Sequence, residues 1–495
     1  MKTTAGSRPL RPDKIPALAA APLDLLVIGG GIVGASIARD AARRGLRVGL
    51  VEQADFAFGT SSRSSRLLHG GLRYLSQGRV GLVREASIEK RRLHEIAPHL
   101  AEPLAFIFPT YRGSGWPLWQ LRIGVRVYDL LCNNRNLGRS GALDRDALIA
   151  RVPGLRTEKL AGGVRYFDAL TNDARLVLDT LRSAEVAGAL LASYTKFVRA
   201  ESTGGDWRVE VQDTGVPTAA ASPLVARAIV NATGPWSDRV PRSAVRLRLT
   251  KGIHLVLDRA RLPVPDAVVL TEGRRLLFVI PWGERVILGT TDTDYDGDPA
   301  APTCDTTDVD YLLANANDAF PLAHLRREDV IRSWVGLRPL VADQQGNPSD
   351  ISRSHEIHQS EPRWWDVVGG KLTTCRLMAE QTVDAVVREL GFSALSPDTA
   401  SVPLLPAGAP PTGGVLPPPV TEDVVRHCCR HEWATHLDDV MIRRTSWHYY
   451  HRDAGPIARR VLEWMARECD WDDARAACEW RRYVDATDPQ FPLTP

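Results

Sequence analysis

Cysteine is scarce in this chain, and what there is forms no metal-binding or disulfide pattern. The seven residues, Cys132, Cys304, Cys375, Cys428, Cys429, Cys469 and Cys478, are odd in number and include no C-x-x-C pair. That argues against a zinc site or a disulfide framework and for reduced thiols in a cytoplasmic protein. The vicinal Cys428-Cys429 pair reads as two small buried hydrophobes rather than a redox couple. Charge of one sign is also missing: 62 Lys+Arg against 59 Asp+Glu leave a formal +3. This excludes a nucleic-acid binder on composition, although local basic patches can still meet an anion. Nowhere is there a run of the about 18 apolar residues needed to cross a bilayer. Residues 1–21 hold basic residues and prolines but no uninterrupted apolar stretch, so they read as a disordered tail and not as a secretory signal. No internal repeat is found. With 495 residues, 44% hydrophobic and 24% charged, the chain is long enough for two or three packed soluble domains.

What the chain does have is concentrated first in Asp24 to Glu52, DLLVIGGGIVGASIARDAARRGLRVGLVE. Leu25 to Ile28 read as a buried parallel strand, and Gly29, Gly31 and Gly34 follow with G-x-G-x-x-G spacing. The first glycine permits the tight turn, the second lets backbone approach a pyrophosphate, and the third lets the helix lie close on the sheet. Ile37, Ala38, Ala41 and Ala42 recur at helical spacing up to Gly45. A helix N-terminus therefore faces the anion. The strand Leu46 to Val51 ends at Glu52, placed to accept from adenosine ribose hydroxyls and to repel a 2′-phosphate. This unit predicts a dinucleotide cofactor but does not separate FAD from NAD.

Further segments narrow the reading. The loop Thr60 to Leu75, TSSRSSRLLHGGLRYL, follows the second strand and so passes the cofactor. Its candidate contacts are Thr60, Ser61, Ser62, Ser64, Ser65, His69, Gly70 and Gly71, small or polar groups that tolerate close backbone approach. A helix is expected over Val80 to Ile96. Trp116 to Leu131, with Arg122 and Arg126, reads as a basic amphipathic helix that either faces the core or lies on a membrane surface. Val225 to Val230 reads as one strand running into Ala232, Thr233, Gly234 and Trp236, a turn that returns to the cofactor. Leu276–Ile280 and Val286–Leu288 form a hairpin of an antiparallel sheet suited to covering a substrate. A late strand from Val367 reaches Gly369 and Gly370 and opens a helix at Leu372. Gly370, Lys371, Leu372 and Thr373 thus form a second helix start, of the kind that can stabilise negative charge on a reduced flavin ring. Residues 396–420 read as a Pro/Gly-rich linker and 421–495 as a helical domain.

Together these segments resemble the FAD-dependent glycerol-3-phosphate dehydrogenases, within the D-amino-acid-oxidase-like flavoproteins. The marks are VIGGGIVGASIARDAARRG, TSSRSSRLLHGGLRYL, APHL, NDARLVLDTL, NATGPWS, KGIHLVL, FVIPWGERVILGTTDTDYDGDP, SWVGLRPL, SRSHEI, VVGGKLTTCRLMAE and, near the C-terminus, HLDDVMIRRT. The resemblance implies an α/β chain, α+β overall. A Rossmann-like FAD-binding domain (about 22–95, 165–245 and 350–395) is joined to an antiparallel-sheet substrate domain (about 96–164 and 246–349) and a C-terminal helical domain. It implies oxidation of sn-glycerol 3-phosphate to dihydroxyacetone phosphate, with electrons passing to a quinone or to oxygen. A cytoplasmic protein, peripheral on the inner membrane face, and a homodimer are the further expectations.

Carried onto this sequence, the resemblance makes Arg73, Arg338 and Arg353, with Tyr74 and Lys371, the phosphate and hydroxyl ligands, arginine being suited to bidentate phosphate contact. His254 is the first candidate base for the C2 hydroxyl, and Lys371 the alternative base or electrostatic partner, with Arg338 beside them. Asp292 is left as an orienting residue or a turn cap. Two departures stand out: Cys375 where the family usually has tyrosine, and Arg66 where lysine is frequent. The alternatives are a flavin amine or amino-acid oxidase on the same scaffold, an NAD-linked dehydrogenase, and a redox-silent nucleotide-binding module.

Overall fold

The computed structural model describes residues 14–113, 116–133, 135–216, 218–273, 275–341, 355–393, 398–405 and 413–487. Leu25–Ile28 is buried at all its positions because it sits inside a six-stranded sheet covered on both faces, where a parallel strand has no wet side. Across the sheet the order is His355–Glu361, Trp364–Gly369, Ile229–Asn231, Leu25–Ile28, Val48–Val51 and Leu190–Ala192. All neighbours run parallel except the antiparallel edge strand His355–Glu361. On one face the helices Ile32–Arg43, Asp173–Val186 and Cys375–Leu390 pack through Ile37, Ala38, Leu178, Met378 and Val383. On the other, a three-stranded antiparallel sheet sets Trp207, Val209 and Leu224 against Leu26 and Ile28.

A second, larger sheet runs through Glu102–Tyr111, Leu160–Leu170, Leu247–Asp258, Arg275–Trp282, Arg285–Gly289 and Val330–Val341. Its register decides what meets what. His254 lies opposite both Gly289 and Trp334, and Thr250 lies opposite Arg338. Because side chains alternate faces along a strand, Thr250, Gly252 and His254 share one face and bring Arg338 with them.

Three expectations need correction. The tail is helical over Lys14–Ala19, because Leu18 is buried against the Gly49 region of the sheet; residues 1–13 lie outside the described residues. Val225–Val230 is not one strand: Ser222–Ala226 belongs to the three-stranded sheet and Ile229–Asn231 to the parallel one, the chain crossing between layers at Arg227 and Ala228. The described parts of the linker do not hang free. Arg39 donates to the carbonyls of Thr399 at 3.2 Å and Val402 at 2.7 Å, Leu404 and Val415 are buried, and Trp282 Nε1 donates to the Val415 carbonyl at 2.9 Å.

The helices Glu422–His431, Ala454–Cys469 and Asp473–Thr487 form the C-terminal unit, with Cys428 and Cys429 in its apolar core. It docks through buried charge. Asp55 pairs with both Arg443 and Arg444, Arg175 reaches Glu432 at 2.6 Å, and Tyr194 donates to Asp439 at 2.7 Å.

His448 in this unit shares a hydrogen bond with Tyr483 at 2.9 Å, and burial, helped by Arg332, holds its pKa down to about 3. Folded, it is neutral, whereas an unfolded histidine titrates near about 6.5. Below that pH the unfolded chain binds a proton that the folded site refuses, so stability from this residue falls as pH drops towards about 3. Between pH 7.5 and 5 the loss from His448 is about 2 kcal/mol. Urea unfolding of His448→Gln is expected to show a correspondingly smaller loss over that range; an unchanged loss would mean that His448 is not held neutral.

Candidate active site

The turn after Leu25–Ile28 leaves no room for side chains. Gly29 has φ 108°, a Cβ there would come within 2.6 Å of the Ala232 carbonyl oxygen, and one on Gly34 within 1.9 Å of the Gly29 carbonyl oxygen. Backbone alone therefore frames the start of the helix Ile32–Arg43, and the Ile32 N–H donates to Ser61 Oγ at 3.0 Å. Over this helix start lies a cavity of about 560 Å³. Gly29, Gly31, Glu52, Thr60, Ser61, Ser64, Ala232, Thr233, Gly234, Trp236, Gly370, Lys371 and Leu372 line it. Glu52 is fixed at one end, accepting from the N–H groups of Gly30 at 2.7 Å and Ala54 at 2.9 Å. Burial pushes its pKa up, against the pull of those donors. A glycine cradle at a helix N-terminus, an acid at the strand end and a cavity of this size over them fit a dinucleotide such as FAD.

A second cavity, about 270 Å³, shares the walls Thr60, Ser64, Pro339 and Gly369 to Leu372 with the first. It gathers Arg73, Tyr74, His254, Arg338 and Lys371, together with Ser65, His69, Gly71 and Thr373. Arg338 can lie across the floor because position 252 is glycine: a Cβ there would come within 2.7 Å of Arg338 Nη2. Its guanidinium donates to the Thr291 carbonyl at 3.2 Å, Asp292 Oδ1 at 3.1 Å and Thr290 Oγ1 at 3.3 Å. Lys371 Nζ stands 4.2 Å from the centre of the Tyr74 ring, and the Arg73 guanidinium 5.1 Å from it. Tyr74 thus holds two cations on one wall.

His254 Nε2 shares a hydrogen bond of 2.8 Å with Ser65 Oγ, and its ring stacks on Trp334 with centroids 5.3 Å apart. Burial first, then Arg338 and Arg66, hold its pKa down to about 3. The imidazole is therefore neutral at ordinary pH.

Among the sequence-derived candidates, Gly34, Ser62 and Gly70 line neither cavity. Gly34 packs on Gly29, Ser62 Oγ donates to the Gly59 carbonyl at 3.4 Å, and Gly70 N–H donates to Tyr128 Oη at 2.9 Å. Ser65, His69, Gly71 and Thr373 line the smaller cavity and not the larger. Arg353 lies outside the described residues. Sequence reasoning overlooked Arg63, Arg275 and Asp168 on the smaller cavity and Gln53 and Thr195–Val198 on the larger. Arg63 sits inside the quoted serine motif and was open to notice. Asp168 gave no local signal, since its partner Lys90, at 2.7 Å, is distant in sequence.

Comparison with known proteins shows the family. A family model described as FAD dependent oxidoreductase matches residues 24–385, and one described as C-terminal domain of alpha-glycerophosphate oxidase matches 415–476. The aerobic glycerol-3-phosphate dehydrogenase of Staphylococcus saprophyticus is 37% identical over 374 residues, 74% of this chain and 67% of that protein. Its Staphylococcus aureus (strain MRSA252) counterpart is 38% identical over 377 residues, with the same shares covered. Among solved structures, the glycerol-3-phosphate dehydrogenase of Bacillus halodurans complexed with FAD superposes with a TM-score of 0.78 at 29% identity, covering 97% of this chain and 98% of that one. Glycine oxidase from Geobacillus kaustophilus, at TM-score 0.58, 20% identity and 78% and 100% coverage, shares the fold.

Proposed function

Because the chain belongs to the FAD-dependent oxidoreductases, in the branch of the aerobic glycerol-3-phosphate dehydrogenases, we propose that it oxidises sn-glycerol 3-phosphate to dihydroxyacetone phosphate in the smaller cavity. The observation that carries this reading is the meeting of a neutral imidazole with the cations Arg73, Arg338 and Lys371 beside a dinucleotide cavity.

When bound, FAD would be held by Gly29, Gly31, Glu52, Ala232–Gly234 and Gly370–Leu372, and would supply the two-electron acceptor for the C2 hydrogen. The protein's own groups do the rest. Arg73, Arg338 and Lys371 bind the phosphate dianion by charge-assisted hydrogen bonds, and Tyr74 holds two of them in place. His254 accepts the C2 hydroxyl proton, with Ser65 fixing its ring. Asp292 orients Arg338 rather than reacting. An amino-acid oxidase needs one carboxylate-binding arginine, and three cations round one cavity suit a dianion better. Formation of dihydroxyacetone phosphate with an artificial electron acceptor checks the reaction; turnover of amino acids with none of the phosphate ester would overturn it.

For the natural acceptor, a membrane quinone is favoured over oxygen by the helix Leu118–Leu131. It buries Leu121, Val125 and Tyr128 and turns outward Trp119 (66% exposed), Ile123 (53%) and Leu130 (61%), flanked by Arg122 and Arg126. Apolar groups ringed by arginine suit the interface of an anionic bilayer. No helix of the described residues is long and apolar enough to cross a membrane. The protein is expected to float with anionic phospholipid vesicles. The W119S/I123S/L130S variant should stay at the bottom of the gradient, and R122E/R126E should float less; flotation unaffected by both removes this helix from the contact.

A further inference from the structure

The stack that carries His254 does not end at the cavity. Trp334, whose Nε1 donates to the Ser64 carbonyl at 3.0 Å, has His254 at 5.3 Å between ring centroids, while Tyr449 from the C-terminal unit lies 5.1 Å from it. The Arg66 guanidinium, 1% exposed, contacts two indoles, 4.4 Å from the Trp282 centroid and 5.2 Å from that of Trp334. Its backbone is held on both sides: the N–H donates to Ser64 Oγ at 3.0 Å, and the carbonyl accepts from Thr171 N–H at 2.8 Å. The side chain makes one hydrogen bond, from Nη2 to Ser446 Oγ at 3.1 Å, while Nε and Nη1 find no partner among the described residues. Such a poorly compensated buried cation is costly. A planar guanidinium can lie flat on a ring, which the ammonium of the lysine frequent at this position cannot.

We propose that Arg66 is a positioning residue for His254: set by Ser446, it clamps the Trp334 stack and holds a positive charge behind the imidazole, so that the C-terminal domain completes the active site. This rests on the reading of His254 as the base. The other charged groups around His254 are Arg338, already paired with Asp292, and on the cavity walls Lys371, Arg73, Arg63, Arg275 and Asp168, the last paired with Lys90. Asp173, which draws on the Arg66 charge, accepts from Ser64 N–H at 2.8 Å. None of the other cations lies behind Trp334 in contact with its ring, so Arg66 can be tested apart from them.

The test is the pH dependence of kcat in the FAD-loaded enzyme with sn-glycerol 3-phosphate, for wild type, Arg66→Met, Arg66→Lys, Ser446→Ala and His254→Asn. Removing the charge lets the imidazole protonate more easily, so the acid limb of Arg66→Met moves up by about half a pH unit or more. KM stays within about twofold, because the phosphate ligands are untouched. Arg66→Lys keeps the charge and leaves the limb in place. An unmoved limb in Arg66→Met, or the same displacement in Arg66→Lys, overturns the proposal. Should Arg66→Met fail to fold, Ser446→Ala decides: kcat lowered several-fold at constant KM supports the clamp, and wild-type kcat refutes it. His254→Asn separates the two levels. If it keeps the wild-type acid limb, the base lies elsewhere; if it loses the limb while Arg66→Met leaves it unmoved, only the role of Arg66 fails.

Discussion

Replacing His254 with asparagine is expected to lower kcat with sn-glycerol 3-phosphate by about 10²- to 10⁴-fold, the range for loss of a positioned general base, while FAD content and the melting temperature change little. The reason lies in what else faces the cavity. Asp292 is paired with Arg338, Asp168 with Lys90, and Lys371 sits over the Tyr74 ring. His254 lines that cavity, is neutral at ordinary pH, and has its ring held by Ser65 Oγ at 2.8 Å. Its neutral form is the one present above about pH 3, so wild-type activity should not fall through His254 protonation on going from pH 8 to pH 6. A drop of less than about tenfold in the asparagine variant would transfer the base role to Lys371.

Arg338→Ala is expected to raise KM for the phosphate ester by about tenfold or more, since a charge-assisted hydrogen bond is worth about 1.5–3 kcal/mol. Arg338→Lys should recover only part of this. One ammonium cannot match the three-way set of contacts to Thr290, Thr291 and Asp292 and still offer a planar fork to the phosphate. After burial, the charge of Arg338 does most to hold the His254 pKa down. Its loss should therefore raise the pKa of the imidazole and bring an acid limb nearer to neutral pH. Steady-state kinetics across pH separates the two effects, since the first appears in KM and the second in the pH profile. A KM unchanged from wild type would remove Arg338 from the phosphate site.

The cofactor half of the molecule was legible because its parts are contiguous. Strand, glycine turn, helix and Glu52 follow one another within residues 24–52, and each glycine has a local steric reason. The substrate half is assembled by register between distant strands, and periodicity does not report register. Nothing in the residues of KGIHL says that His254 will face Trp334, or that Gly252 will make room for Arg338; only the pairing of Leu247–Asp258 with Val330–Val341 does so. The family motifs put forward Arg73, His254, Arg338 and Lys371, which line one cavity, without giving their geometry. Ser65 shows the difference: it was placed with the cofactor contacts, and it holds His254. Short elements misled in the other direction. Lys14–Ala19 and the described residues around Leu404 and Val415 are too short and too interrupted by proline to signal order by periodicity. They are ordered by what they pack against, which lies elsewhere in the chain.

The most direct measurement is the visible spectrum of the purified protein under anaerobic conditions, before and after adding sn-glycerol 3-phosphate, with glycerol as the control. The account predicts bound flavin whose absorption bands bleach rapidly with the phosphate ester and stay unchanged with glycerol, because Arg73, Arg338 and Lys371 select the phosphate. Flavin that remains oxidised with the ester would contradict the substrate assignment while leaving the fold intact. Equal bleaching by glycerol would contradict the role given to the three cations.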